Sequence, residues 1–401
     1  MMLALRGAAV SAVLCLASAA SPPPIGPNEA IIFADHFSGP LLNTSVWKHE
    51  LTLSGEGNWE FSWYTNNRTV SYVRNGSLVI SPQLTVNAIG AAGLAGADVN
   101  LWGGDPATAC TDNGFFGCER TGGGGGNIIN PVLSARVRTA ETFAFKYGRV
   151  EVVARMPRGD WMWPAIWLMP TEAAYGQWPA SGEIDIAESR GNARGYPAGG
   201  CESFGSTLHY GPYWPEDAYL TTHATYSAPS GDLSTDFHTY GLLWTAERMT
   251  TYIDNTVVLD VNVNETFWSR GGFATSQPGI SSPWQDSPNA NAPFDQRMYI
   301  LLNVAVGGTN GYFPDAMGGK PWSDTSDSAA NLFWAAYASQ WGPTWASGSP
   351  MMIDSVTVRQ DPAQGEYRLA ISSTAQRLPT HPPPFSFSPS AGGDYAFRPL
   401  L

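Results

Sequence analysis

Positive charge is scarce in this chain. Its 401 residues hold 21 Lys and Arg against 34 Asp and Glu, a formal net charge of −13. The basic residues form no run, which argues against nucleic acid as a partner, because phosphates demand clustered cations. Charged residues of both signs make up only 14% of the chain while 43% is hydrophobic, a balance that excludes a disordered polymer. Long apolar runs are also missing. Beyond the N-terminus no segment reaches the roughly 18 uninterrupted apolar residues of a spanning helix, and the C-terminus has no hydrophobic tail of the lipid-anchor kind, so no membrane partner is expected. No segment keeps an apolar stripe over three helical turns. With 43 Gly and 31 Pro punctuating the sequence, a helical bundle or coiled coil is ruled out. Cysteine is rare, with four residues in all.

The N-terminus opens with Arg6, an apolar stretch from Gly7 to Leu16 and the small residues Ala17-Ser18-Ala19-Ala20. That order describes a secretory signal peptide over residues 1–20 and an extracellular destination. Cys15 would leave with it. The short loop from Cys110 to Cys118 can then close as a disulfide in an oxidising compartment, with Cys201 left over, although spacing alone leaves the pairing open. Sequons at Asn43, Asn67, Asn75 and Asn264 agree with an exported glycoprotein.

Residues 21–30 form a short Pro-containing leader. From 31 to 360 short β-type runs recur between Gly, Pro, Asn and Asp clusters, among them Gly148–Arg155, Phe237–Trp244, Met249–Ile253, Met298–Val306 and Met351–Val358. Several alternate apolar and polar residues with period two. Asn75-Gly76 and Asp254-Asn255 carry hairpin chemistry between such runs. The pattern predicts one all-β domain, an antiparallel sandwich or jelly roll. Two long stretches, 88–127 and 270–293, read as loops, and residues 361–401 as a Pro- and Ser-rich tail that packs poorly.

The segment with most chemistry is Ser181-Gly-Glu-Ile-Asp-Ile-Ala-Glu-Ser-Arg-Gly191. On a strand Glu183 and Asp185 share one face and the isoleucines the other. Glu188 lies five residues from Glu183 and would fall on the wrong face, so a one-residue bulge at Ile186 or Ala187 is expected to return it. Like charges crowded on one strand face are costly, and retaining glycoside hydrolysis is a chemistry that wants them: one carboxylate attacks the anomeric carbon and a second, protonated, serves the leaving oxygen. A solvated acidic edge strand or a calcium site would leave the same letters. Just upstream stand Trp161, Trp163 and Trp167, which an extended chain would place along one face. Indole rings suit the flat C–H faces of sugars, so this context favours polysaccharide chemistry, with at least one of the three expected in the core.

At these residues the sequence resembles glycoside hydrolase family 16, and within it the laminarinase and invertebrate β-1,3-glucan-binding group. The likeness spans most of residues 31–360. It includes Asn58-Trp59-Glu60, Tyr64-Thr-Asn-Asn-Arg68, Gly117-Cys-Glu-Arg-Thr121, Asn130 to Arg136, Trp163-Pro-Ala-Ile-Trp167, the acid strand, Leu208-His-Tyr-Gly-Pro212 and Leu302 to Gly308. The resemblance implies a jelly roll with an open concave cleft. It makes Glu183 the nucleophile, Glu188 the general acid/base and Asp185 the assisting carboxylate. Trp163, Trp167, His209, Asn303 and Tyr64 become substrate-binding residues, and β-glucan the partner of a secreted monomer. No cofactor is implied for catalysis. A structural calcium through Asp354 is implied, with a plain capping or turn role as its alternative. Some relatives have lost the glutamates and only recognise glucan; both are present here. Mixed-linkage β-glucan is the alternative substrate.

Overall fold

A computed structural model describes residues 20–103, 110–123 and 127–369; the expected signal peptide, apart from Ala20, and residues 370–401 lie outside the described residues. Two antiparallel sheets face each other across one large apolar core, in a β-sandwich of the jelly-roll kind. One sheet runs in the order Thr256–Asn262, Arg248–Ile253, His238–Trp244, Gly148–Arg155, Met351–Gln360, Ser77–Ile80, Ser71–Arg74, with Ala30–Asp35 added on Met351–Gln360. The other runs His223–Ser227, Ser203–His209, Glu183–Ser189, Met162–Pro170, Met298–Val306, Arg136–Arg138, Lys48–His49.

The alternation read from the sequence decides which face is buried. Ile166 and Leu168 of the Met162–Pro170 strand, Ile184, Leu208, and Ile300, Leu302 and Val304 point between the sheets and are fully buried. Each fully buried side chain of this size contributes about 1.5–3 kcal/mol. The hairpin signals hold: Asn75 and Gly76, at φ 53° and 78°, join paired strands, and Asp254 at φ 49° turns the next pair. Asn43, Asn75 and Asn264 are exposed, whereas Asn67 is half-buried, its Oδ1 accepting from the Thr69 N–H and hydroxyl.

Three expectations need correction. The stretch expected to be a loop over 88–127 overlaps an α-helix, Val86–Gly96, broken at Gly90 (φ 72°), and a small hairpin, Asp98–Asn100 with Glu119–Thr121. Its Gly- and Ala-rich helix buries only Leu94, so no apolar stripe announced it. The second expected loop contains a short helix, Phe273–Ser276. The expected tail is not wholly tail, because Glu366–Leu369 pairs with Phe143–Lys146 and extends the second sheet. Cys110 and Cys118 form a disulfide, and Cys201 is a buried free thiol. Among the described residues no helix is long and apolar enough to cross a membrane.

The acid strand carries the expected bulge. Asp185 lies opposite Thr207 and Glu188 opposite Gly205, so three steps on one strand meet two on its neighbour; the other neighbour shows the same count, Trp167 to Asp185 and Ala165 to Glu188. The cause is in the letters: Ile186 and Ala187 are consecutive and apolar, and both reach the core, at 1% and 0% exposure. Period-two alternation allows only one of them inside without an extra residue. The Ile186 carbonyl accepts from the Ser206 hydroxyl at 2.6 Å, and Ser206 is fully buried. A Ser206→Ala substitution therefore leaves that buried carbonyl without this partner and is expected to cost about 1–3 kcal/mol in denaturant unfolding; an unchanged midpoint would show that the bulge does not need the hydroxyl.

Candidate active site

Because of the bulge, Glu183, Asp185 and Glu188 stand opposite His209, Thr207 and Gly205, positions of one parity on Ser203–His209. All three carboxylates therefore share the sheet face turned away from the core, despite the odd count between the glutamates. Across the sheet the same face carries Trp163, Ala165 and Trp167, then Leu301, Asn303 and Ala305, then Arg136 and Arg138.

Each outer glutamate is held by an indole. Trp178 Nε1 donates to Glu183 Oε2 at 2.6 Å, and Trp163 Nε1 donates to Glu188 Oε1 at 2.8 Å. Asp185, between them, is only 2% exposed, and its Oδ2 lies 3.2 Å from His209 Nε2. Burial, reinforced by the charge of Asp185, pushes the Glu188 carboxyl up to about 7. The same two causes raise Glu183 well above its ordinary range. The two glutamates also feel each other, so they titrate as a pair. Between its two steps such a pair holds one proton, which leaves one carboxylate free to attack and one carboxylic acid able to donate.

His209 is gripped on both sides, with Asp185 at Nε2 and Asp217 Oδ2 2.5 Å from Nδ1. Burial alone would lower its pKa, but the two carboxylates lift it well above the usual histidine value. Glu183, Asp185 and His209 form the one grouping of three potential metal-ligand side chains among the described residues, with ligand atoms within 4.8 Å. Both imidazole nitrogens already face carboxylates, which leaves the ring no lone pair for a cation.

The tryptophan row is redrawn by the structure. Trp161 adopts φ 68° before the strand begins and turns into a separate aromatic cluster, edge-on to Phe313 and Trp322. It is core, and does not share a face with its neighbours. Trp163 and Trp167 do line the site, but at 7% and 8% exposure. Trp163 is covered by Tyr312, stacked at 3.9 Å and 7°, with the Arg190 guanidinium 3.9 Å from the Tyr312 ring centroid on which it lies. Trp167 donates to Asn303 Oδ1 at 2.7 Å, and Asn303 Nδ2 donates to the Tyr64 hydroxyl at 3.3 Å. Tyr64 is fully buried and Asn303 nearly so. These two residues lie beneath the open surface and brace Trp167 from below.

That bracing ends in a buried charge cluster that sequence reading did not single out. Arg136, 2% exposed, pairs with Glu50, Glu56 and Glu60 and lies over the Tyr64 ring. Tyr64 in turn donates to Glu60 Oε2 at 2.7 Å. Burial pushes the Glu56 carboxyl up to about 8, more than the attraction of Arg136 pulls it down. Arg138 adds a second cation on Glu50 at 2.9 Å.

The exposed aromatic surface lies elsewhere. Trp214, 63% exposed, sits 5.5 Å from Trp178, and Trp59, 42% exposed, packs on Phe115. Trp178 had a signal, standing five residues before Glu183; Tyr312 had none. Asp354 is exposed on Met351–Gln360, away from this site, and belongs to no grouping of three ligand side chains among the described residues.

Comparisons with known proteins give the family and support the fold. The family model for glycosyl hydrolases family 16 matches residues 127–294, and the chain belongs to that family. It is 45% identical over 363 residues to a β-1,3-glucan-binding protein of Penaeus monodon, covering 89% of this chain and 97% of that protein. It is 32% identical over 314 residues to a glucan endo-1,3-β-glucosidase of Cryptopygus antarcticus, covering 78% of this chain and 90% of that protein. Among solved structures, the laminarinase catalytic domain of Thermotoga maritima superposes with a TM-score of 0.52 at 22% identity, over 83% of this chain and 99% of that one, which supports the fold.

Proposed function

We propose that the protein is a secreted endo-β-1,3-glucanase that hydrolyses laminarin-type glucans with retention of anomeric configuration. The observation that carries this reading is the bulge, which aims Glu183 and Glu188 from one strand into one site, each anchored by an indole N–H. Glu183 attacks the anomeric carbon while Glu188 passes its proton to the glycosidic oxygen, so that the C–O bond breaks and a glycosyl ester forms on Glu183. Glu188, now ionised, takes a proton from water, which attacks the same carbon and releases the ester. Asp185, between the two glutamates and facing His209, helps to keep the glutamate pKa values high.

The test is release of reducing ends from laminarin by pure protein, followed across pH. Activity is expected to fall at low pH, where both glutamates are protonated and the nucleophile is lost. It is expected to fall again at higher pH, once the coupled pair has given up its last proton and no acid remains to donate. A pure binder releases nothing at any pH. That second reading, glucan recognition without turnover, is favoured by one observation, the name of the Penaeus monodon relative.

A further inference from the structure

The loop that follows Ser203–His209 reaches back into the site, and its Asp217 and Tyr219 both meet His209. Asp217, with its side chain 5% exposed, sets Oδ2 against His209 Nδ1 at 2.5 Å. Its other oxygen accepts the backbone N–H groups of Tyr210, at 3.1 Å, and Tyr219, at 3.2 Å. Tyr219 then stacks on the His209 ring with centroids 5.3 Å apart and planes at 29°. The imidazole is therefore fixed in plane and position, and each of its nitrogens meets a carboxylate.

A neutral imidazole carries one N–H and one lone pair, and a lone pair directed at a carboxylate is repelled. Only the doubly protonated ring turns an N–H edge, rather than a lone pair, towards both Asp185 and Asp217. We propose that Asp217 is a positioning residue that holds His209 as an imidazolium, so that a fixed cation faces Asp185 at the centre of the acid row. The proposal rests on the catalytic reading of that row. It assigns the chain an electrostatic support extending from the acid strand to the 211–222 loop.

The groups around the ring agree on the sign. Glu183, Asp185 and Glu188 face it from the acid strand, and Asp217 from the loop. Trp178, tilted 5.6 Å away, and Tyr219 add aromatic walls. The opposing influence is His223 on the neighbouring strand, whose own pKa is lowered by burial and then by the charge of His209, so it does not compete for the proton. Three carboxylates crowded on one strand need a compensating cation close by, and a histidine between two acids supplies it without adding a bulky side chain to the groove.

The test follows the ring itself. In protein labelled with 15N-histidine, with His209 assigned by its loss in His209→Gln, the wild-type ring is expected to keep both N–H groups through neutral pH and well above the ordinary histidine range. In Asp217→Asn the amide oxygen still accepts the two backbone bonds, but its NH2 group donates to Nδ1 and leaves a neutral ring. That ring is expected to titrate near the ordinary histidine range. In the same variant kcat on laminarin should fall about tenfold or more with KM within about threefold, and the pH profile should move up by about one unit, because carboxylates that lose a neighbouring cation protonate more readily. A wild-type His209 that titrates near its ordinary range overturns the proposal, even if the variant does not fold or the wild type releases no sugar. So does a variant that keeps both ring protons at neutral pH. A variant that loses the proton yet keeps its pH profile overturns the tuning of the acids.

Discussion

Replacing Glu183 with Gln is expected to reduce laminarin hydrolysis by about ten-thousand-fold, with folding and glucan binding retained. The amide is close to the carboxylate in shape, and its oxygen still accepts the Trp178 N–H that now reaches Glu183 Oε2. It has no electron pair fit to form the glycosyl ester, so the first chemical step stops. Stability should hold or rise slightly, since a half-buried member of a like-charged row becomes neutral. The measurements are reducing-end release, a denaturant midpoint and retention on immobilised laminarin. Activity within tenfold of wild type would remove Glu183 from the mechanism.

The second large effect is on stability. Arg136→Met should destabilise the fold by about 3–5 kcal/mol at neutral pH, the range for breaking a buried ion cluster on one side. Glu60 would lose its cation, while Glu50 keeps Arg138 and Glu56 is already pushed up by burial. The sign with pH follows. A buried carboxylate left without its cation is destabilised in its charged form, so the penalty is present above the unfolded carboxylate range and shrinks as pH falls towards it. Denaturant midpoints at about pH 7 and pH 5 should converge with those of the wild type at the lower value. An equal loss at both would mean that packing against Tyr64 and Trp167, rather than charge, is what Arg136 contributes.

What the sequence made legible and what it hid divide along a physical line. The acid strand was readable because its information is local: carboxylates at fixed spacing, isoleucines between them, and two adjacent apolar residues that force a bulge. Strand alternation on Gly148–Arg155 and Met298–Val306 was readable for the same reason. Trp161 was misplaced on the cleft face because extended geometry was assumed through a residue that turns to positive φ. The helix Val86–Gly96 carries a glycine break and buries one residue, so neither propensity nor periodicity exposed it. Tyr312 reaches Trp163 from 149 positions away in the chain and Asp217 reaches His209 across a loop, and no spacing rule encodes either contact. Trp163 and Trp167 were found by composition, but their burial and internal hydrogen bonds appear only once the sheet is assembled.

The most direct measurement is the configuration of the first sugar released from laminarin, followed by proton NMR before mutarotation mixes the anomers. Two carboxylates borne by one bulged strand, one attacking and one donating, require the β-anomer to appear first. Early appearance of the α-anomer would mean that water attacks directly from the opposite side, and would contradict a nucleophilic Glu183.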